Sequence, residues 1–333
     1  MTNEGVTSAV DAVVTWVDGA DPVHAAKLDA YLASIGRKRE GAAGGARFHN
    51  AGEIDYCITS ILKFAPWVRT IFVVTDQQTP AIVQKLVGTH YETKVKVIDH
   101  REIFAGYEQH LPTFNSSSIL SMLWRIPNLS ENFIFFNDDF CLLRPVKAED
   151  FFRDGKVVLR GKWCKLPERK LVNILFGAIL KKIKKRKDFS FWEGQQLTAR
   201  TLGLTQKYFR LPHVPHPWRR STLEHYFTTH PDVLAHNVSY RLRAYEQLIG
   251  ESVAAHLELI AGTAIVDNKL FNIQLKPRQQ FYWRIWLKLW WANTNFNAAF
   301  ACVQSVELAT IAKQKIIFQW LQKRVGNIEN FLE

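Results

Sequence analysis

The chain has 333 residues, 47% of them hydrophobic and 22% charged, which excludes an intrinsically disordered protein and allows one elaborated domain or two. Its formal charge is +12, but between Arg160 and Asp188 eleven Lys and Arg face only Glu168 and Asp188, a local +9 that leaves +3 for the rest. That concentration in one segment argues against nucleic acid as the partner, since a nucleic-acid footprint spreads cations along a groove or face. Cys57, Cys141, Cys164 and Cys302 are scattered without Cys-x-x-Cys spacing and read as buried reduced thiols, neither a zinc site nor a disulfide framework. Residues 1–8 show no charged-then-apolar signal pattern, and the longest apolar run, residues 171–180, is broken by Asn173 and too short to span a bilayer. A cytoplasmic location is the expectation.

Residues 11–17 read as a first buried strand, and Asp18-Gly-Ala-Asp-Pro22 as a turn feeding a helix. Asp18 and Asp21 are then turn and cap residues, or they hold a nucleotide or metal at the strand end. Residues 41–46, all glycine and alanine, predict a mobile loop. Ile54, Cys57, Ile58, Ile61 and Leu62 recur at helical spacing, with a stop before Pro66. Residues 70–75 form a second strand running into Asp76, and residues 95–98 a third running into Asp99 and His100. Strands that end in polar loops with helices between them imply a parallel sheet with right-handed crossovers. Leu111-Pro-Thr-Phe-Asn-Ser116 predicts a rigid loop and a helix start, with Asn115 as a cap or as a ligand to sugar or phosphate.

The next stretch organises the rest. Phe133-Ile-Phe-Phe136 reads as a buried strand, and Asn137, Asp138 and Asp139 follow at the edge where an open α/β sheet presents its ligands. Adjacent carboxylates repel unless a cation or hydrogen-bond donors compensate, so a divalent metal holding a phosphate is one reading. A tight turn is the other, because Asn and Asp are turn formers.

Five segments, in order, resemble successive blocks of the Stealth family: Thr15-Trp-Val-Asp-Gly-Ala-Asp-Pro22, Phe64-Ala-Pro-Trp-Val-Arg69 with Val73-Val-Thr-Asp76, Ile98-Asp-His100, Leu111-Pro-Thr-Phe-Asn-Ser116 and Phe136-Asn-Asp-Asp139. That family includes bacterial capsular polysaccharide phosphotransferases and resembles the catalytic part of the animal N-acetylglucosamine-1-phosphotransferase. The resemblance implies transfer of a hexose or N-acetylhexosamine 1-phosphate from a UDP-sugar to an acceptor hydroxyl, with release of UMP. It implies Asp138 and Asp139 as ligands of Mg²⁺ or Mn²⁺, with Trp16, Asp18, Asp76 and Asn115 as nucleotide-sugar contacts. Leu211-Pro-His-Val-Pro-His-Pro217 is similar to a third block and places a catalytic histidine at His213, and Ser239-Tyr-Arg-Leu-Arg243 places an arginine at Arg243. A near-neutral histidine suits proton abstraction from a hydroxyl, and a planar guanidinium suits phosphate oxygens. The fourth block departs from the pattern. Gln304 and Ser305 stand where many members carry Asn-Asp, and Leu120 stands where an acidic residue is common.

Two segments lie outside the resemblance. Residues 170–180 followed by six cations within residues 181–187 form an interfacial-anchor pattern or a solvated charged helix end. Residues 281–291 carry four tryptophans with Arg284 and Lys288, consistent with an aromatic core helix or with a headgroup-boundary helix. Residues 308–321 predict an amphipathic helix packed on the core.

The whole reads as an α/β protein with a central, mainly parallel sheet of Rossmann-like or glycosyltransferase-A-like type, a helical insert and a helical C-terminal part. The expected divisions are 8–159 for nucleotide-sugar and metal binding, 160–205 for a basic amphipathic insert, and 206–333 for completion of the site. The expected partners are a UDP-sugar, a growing capsular polysaccharide that is lipid-linked or free, and the inner membrane face through residues 170–187. A metal-dependent glycosyltransferase releasing UDP is the nearest alternative, and a non-catalytic basic lipid- or nucleic-acid-binding protein the remote one.

Overall fold

The computed structural model describes residues 9–39, 51–167 and 190–332. The glycine-rich loop at 41–46 and the basic amphipathic stretch at 170–187 fall outside the described residues.

Four parallel strands form the centre: β1 (Val10–Thr15), β2 (Ile71–Thr75), β3 (Val95–Asp99) and β4 (Asn132–Asn137), in the spatial order β4-β1-β2-β3. The near-continuous apolar runs of β1, β2 and β4 have a physical cause, while the edge strand β3 exposes Lys96. Successive strand side chains point to opposite faces, and both faces of this sheet are covered, so both sets must be apolar. Ala12, Val14, Val73, Ile134 and Phe136 enter one core with Ile54, Ile58 and Ile61, while Val13, Phe72, Val74, Phe133 and Phe135 enter a second with Leu123, Trp218 and Phe227. The register sets Thr15 opposite Val74 and Asn137, and Thr75 opposite Asp99. All four carboxyl ends therefore open at one edge.

Helix α1 (Pro22–Ser34) starts at Asp21, whose carboxylate accepts from Val23 N and His24 N, and α2 (Glu53–Phe64) packs the predicted apolar stripe on the sheet. The short helix α3 (Ser116–Leu120) is capped by Asn115. After β4, residues Asp138 and Asp139 make the turn into β5 (Phe140–Leu142). Further on, β6 (Phe152–Arg153) and β7 (Lys156–Leu159) form a hairpin, and β8 (Lys162–Lys165) pairs antiparallel with β9 (Lys207–Arg210). Strand β10 (His216–Arg219) runs antiparallel along the outer side of β4, and β11 (Ala264–Val266) runs parallel to β7. Strands β12 (Phe271–Leu275) and β13 (Ala298–Val303) are parallel, and β13 lies antiparallel to β5. The remaining helices used below are α4 (Phe191–Thr201), α5 (Gly250–Ile260), α6 (Tyr282–Thr294) and α7 (Ile311–Arg324).

Two details differ from the sequence expectation. The insert begins as a strand, Lys162–Lys165, in which Trp163 packs edge-on against Phe209 at 5.5 Å across the β8–β9 ladder. The helical C-terminal part also carries strands: it supplies β9 to β13, and β10 joins the central sheet. Boundaries at 159/160 and 205/206 thus separate strands that hydrogen-bond to one another.

At the sheet edge opposite the site, Asp11 is fully buried and binds Arg69 through Nε at 2.9 Å and Nη2 at 2.6 Å, and accepts from Thr70 N at 3.1 Å and Ser130 N at 2.7 Å. One carboxylate thereby ties β1 to the segments entering β2 and β4. Truncating it strands a guanidinium and two amides, so Asp11→Ala is expected to cost about 3 kcal/mol in urea unfolding. A loss near the ~0.5 kcal/mol of an ordinary surface change would show that the clamp is dispensable.

Candidate active site

Two adjoining cavities open where the parallel strands end. The larger, about 590 Å³, is lined among others by Glu53, Asp138, Asp139, His213, Glu251 and Lys276. The smaller, about 150 Å³, is lined among others by Trp16, Asp76, His100, Phe114 and Asn115. Ser116, Asn137, Asp138 and Arg243 line both and form their junction. A bipartite ligand with a flat group in one chamber and a charged group at the junction fits this plan.

The carboxylates are held by the sheet. Asp139 accepts the Cys302 thiol at 3.4 Å from β13, and its carbonyl accepts Val303 N at 2.9 Å. Burial drives the Asp139 carboxyl up to about 6, against the lowering effect of that thiol. Burial, then the charges of Asp139 and Glu53, raise Asp138 well above the usual carboxylate range. Glu53, which accepts from Ala51 N, is raised by burial to about 7, with Asp139 and Glu307 adding to the effect. Four acidic groups thus converge, and for Glu53, Asp138 and Asp139 the cost is a partial loss of charge.

This arrangement tests the divalent-metal expectation. Among the described residues no group of three or more His, Cys, Asp or Glu side chains is set to hold a metal ion. The oxygen-only set at Asp138 and Asp139 nevertheless fits a hard cation of the Mg²⁺ type, which is commonly bound by one or two carboxylates with substrate phosphate and water completing its shell. The raised acids are groups that such a cation would return to their charged form.

Arg243 donates to Ser116 Oγ through Nη2 at 2.6 Å and Nε at 3.2 Å. A buried amide network fixes both loops. Asn115 donates to Tyr240 O and Gln247 Oε1, each at 2.8 Å, and caps Ser117 N, while Gln247 binds Ala244 N and Asn237 O. The Asn115 side chain is spent on this network, so of its two expected roles the structure shows the cap. Glu251, at the start of α5, is raised to about 7 by burial although Arg243 opposes the shift.

His213 sits between β9 and β10. Phe191 stacks on its ring at 4.8 Å and 25°, and Asn272 Nδ2 holds its carbonyl at 2.9 Å. Burial first, then the Lys276 cation, lowers the imidazole to about 4, so it is neutral near pH 7. His216, by contrast, is buried in β10 opposite Phe135 and lowered by burial to about 3.

Of the weaker sequence expectations, Trp16 and Asp76 line the smaller cavity; the Trp16 indole N–H has no hydrogen-bond partner, whereas Asp76 pairs with Lys27 at 2.8 Å. Asp18 is not in either wall. Its carboxylate accepts Ala20 N at 2.9 Å and its backbone is clasped by Gln78, which makes it a turn residue. Gln304 and Ser305 do line the larger cavity, and so does Glu307, two residues beyond the departed pair. Glu53, Glu251, Lys276 and Glu307 were not anticipated. Each reads in sequence as an ordinary helix-end or loop charge, and only the topology brings them together.

Residues 9–36 match Stealth protein CR1, conserved region 1, and residues 47–159 match Stealth protein CR2, conserved region 2. The chain is a member of the Stealth family. A capsular polysaccharide phosphotransferase of Actinobacillus suis is 44% identical over 147 residues, 44% of this chain and 38% of that protein. An exopolysaccharide phosphotransferase of Streptomyces coelicolor is 32% identical over 266 residues, 78% of this chain and 26% of that protein. This chain therefore spans well under half the length of these relatives. Among solved structures, mouse xyloside xylosyltransferase 1 aligns with 88% of the chain and 97% of its own at 12% identity, with a TM-score of 0.38. Trp16, Asp76, Asn115, Asp138 and Asp139 fall within the family matches, whereas His213 and Arg243 lie beyond residue 159.

The His213 environment yields a measurable sign. Because its folded value is depressed, its neutral form supports the fold fully above pH 6.5, and that support is lost as pH falls through about 4. By NMR, His213 is expected to titrate near the low value, and Lys276→Ala to raise it. An imidazole titrating at an ordinary value, unmoved by that substitution, would contradict the geometry.

Proposed function

We propose that the protein is a sugar-phosphate transferase of surface-polysaccharide synthesis. It moves a hexose or N-acetylhexosamine 1-phosphate from a UDP-sugar to an acceptor hydroxyl and releases UMP. The observation that carries this reading is the junction: Asp138, Ser116 and Arg243 are shared by a small pocket with Trp16 on its wall, open to one flat ring, and a larger cavity that holds a neutral histidine. The printed names of the relatives, capsular and exopolysaccharide phosphotransferase, support the same reaction class.

In this mechanism His213 takes the proton of the acceptor hydroxyl as its oxygen forms a bond to the sugar-proximal phosphorus. The bond from that phosphorus to the bridging oxygen of the diphosphate breaks, and the electron pair leaves with UMP. Arg243, braced on Ser116, holds the phosphoryl oxygens while charge shifts among them. Phe191 and Trp192 keep the imidazole in place and shield it from water. Mg²⁺ or Mn²⁺ bound at Asp138 and Asp139 would neutralise the diphosphate. We place the reaction at the inner face of the inner membrane, with residues 170–187 adding electrostatic attraction to anionic headgroups. A glycosyltransferase releasing UDP would share the acids and the histidine, but it gives Arg243 no transferred phosphoryl group to hold.

His213→Ala is expected to lose at least about a hundredfold in turnover, the lower range for one general base, while nucleotide-sugar binding survives. Asp138→Asn is expected to be inactive yet folded, and excess chelator to silence the wild type until a divalent cation is returned. Near-normal turnover by His213→Ala would remove the base assignment. Full activity in chelator would remove the metal.

A further inference from the structure

We propose that the outward face of α6 docks on an anionic lipid bilayer, with the helix lying on the surface and not crossing it. Sequence left this segment open between a core helix and a headgroup-boundary helix, and the structure divides it into both. Ile285, Leu289 and Ala292 are buried in the core formed with β12 and β13. Opposite them, Trp283 is 59% exposed, Trp286 57%, Leu287 54% and Trp290 57%. These positions follow the i, i+3, i+4, i+7 rule, so they make one continuous stripe on the far side of the helix. Phe281, 70% exposed, extends the stripe at its start. Tyr282 Oη lies 3.2 Å from Thr310 Oγ1, which brings in Ile311, 82% exposed, at the head of α7. Single exposed apolar residues are ordinary on a soluble surface, whereas a contiguous aromatic row marks an interaction site.

Composition and charge select the occupant. Indoles concentrate at the headgroup boundary, where the ring is desolvated and its N–H stays wet. From residue 276 to residue 306 the chain carries Lys276, Arg278, Arg284 and Lys288 and no Asp or Glu, so the face meets an anionic surface without repulsion. Arg284 lies 5.1 Å from the Trp283 ring, and Lys288 is anchored on the Gln274 carbonyl on the same flank. A sugar-stacking platform fits less well: the stripe offers no amide or carboxylate for sugar hydroxyls, and the neighbouring Trp290 and Trp291 rings are inclined by 45°. Among the described residues no helix is long and apolar enough to cross a membrane, and α6, about 20 Å long at ~1.5 Å per residue, suits the interface plane. Lys276 and Leu308, which line the larger cavity, stand a few residues from Phe281 and Ile311. The docked face would border the cavity mouth. The proposal rests on this surface alone and stands whether or not the transfer reading does.

The test uses the whole chain with vesicles of phosphatidylcholine, with and without phosphatidylglycerol, carrying brominated acyl chains. The wild type is expected to float with the anionic vesicles and its tryptophan emission to be quenched by bromine. The combined Trp283→Ser, Trp286→Ser and Trp290→Ser variant is expected to lose that quenching and bind at least about tenfold more weakly. Leu287→Glu alone is expected to act in the same direction if the triple variant fails to fold. Activity on a soluble acceptor, measured alongside, keeps failure of docking distinct from failure of the proposed reaction. Quenching retained by both variants overturns the proposal, because another segment would then carry the binding. So does a wild type that ignores vesicles and instead forms a dimer that the variants abolish.

Discussion

Asp138 and Asp139 stand at the end of a strand buried on both faces, and burial raises the free energy of every negative charge placed there. Glu53 and Glu307 approach from α2 and from the segment after β13, so the repulsion is shared by four groups and not two. The surrounding structure answers that repulsion locally, with the Cys302 thiol and backbone amides on Asp139 and with Ala51 N on Glu53. What remains unneutralised faces the cavity. Arg243 and Lys276 line the same space, so the site is a ring of mixed charge around the cavity.

Around that ring the fold separates two tasks. The parallel strands and α2 place the acids, and their positions follow from apolar alternation that admits little movement. The segments carrying Arg243 and His213 come from the C-terminal half and are positioned by polar and aromatic contacts: the Asn115–Gln247 network for one, and Phe191 stacking with the Asn272 amide for the other. Helix α4, which carries Phe191, follows the basic stretch directly, which makes the wall behind His213 the part of the site nearest to that stretch in sequence.

The central sheet was legible because its signals are local. Residues 71–75, 95–99 and 132–137 announce themselves by apolar runs ending in polar turns, and the acids at 138 and 139 follow from where such strands end. Of the two readings of Asn-Asp-Asp the structure shows the turn, and it leaves Asp138 and Asp139 on the cavity wall. Glu53, Glu251, Lys276 and Glu307 were invisible because their meeting depends on pairings distant in sequence, such as Cys141 of β5 with Ala301 of β13. Of the two roles open to Asp18 in the sequence the structure shows the turn, because an aspartate at a strand end readily satisfies its own turn. The strand at 162–165 was hidden by the basic segment that follows it, and the tryptophans of α6 show that hydrophobic content does not by itself say which way a helix faces.

The account stands or falls on which bond breaks. Attack at the sugar-proximal phosphorus gives Arg243 its purpose, leaves UMP and puts a phosphodiester in the product, whereas attack at the anomeric carbon leaves UDP and a plain glycosidic bond. The most direct measurement is the nucleotide released from a panel of UDP-sugars, with phosphorus-31 NMR of the polymer formed. Stoichiometric UMP with a diester resonance is the predicted result; stoichiometric UDP with a phosphorus-free product would contradict it.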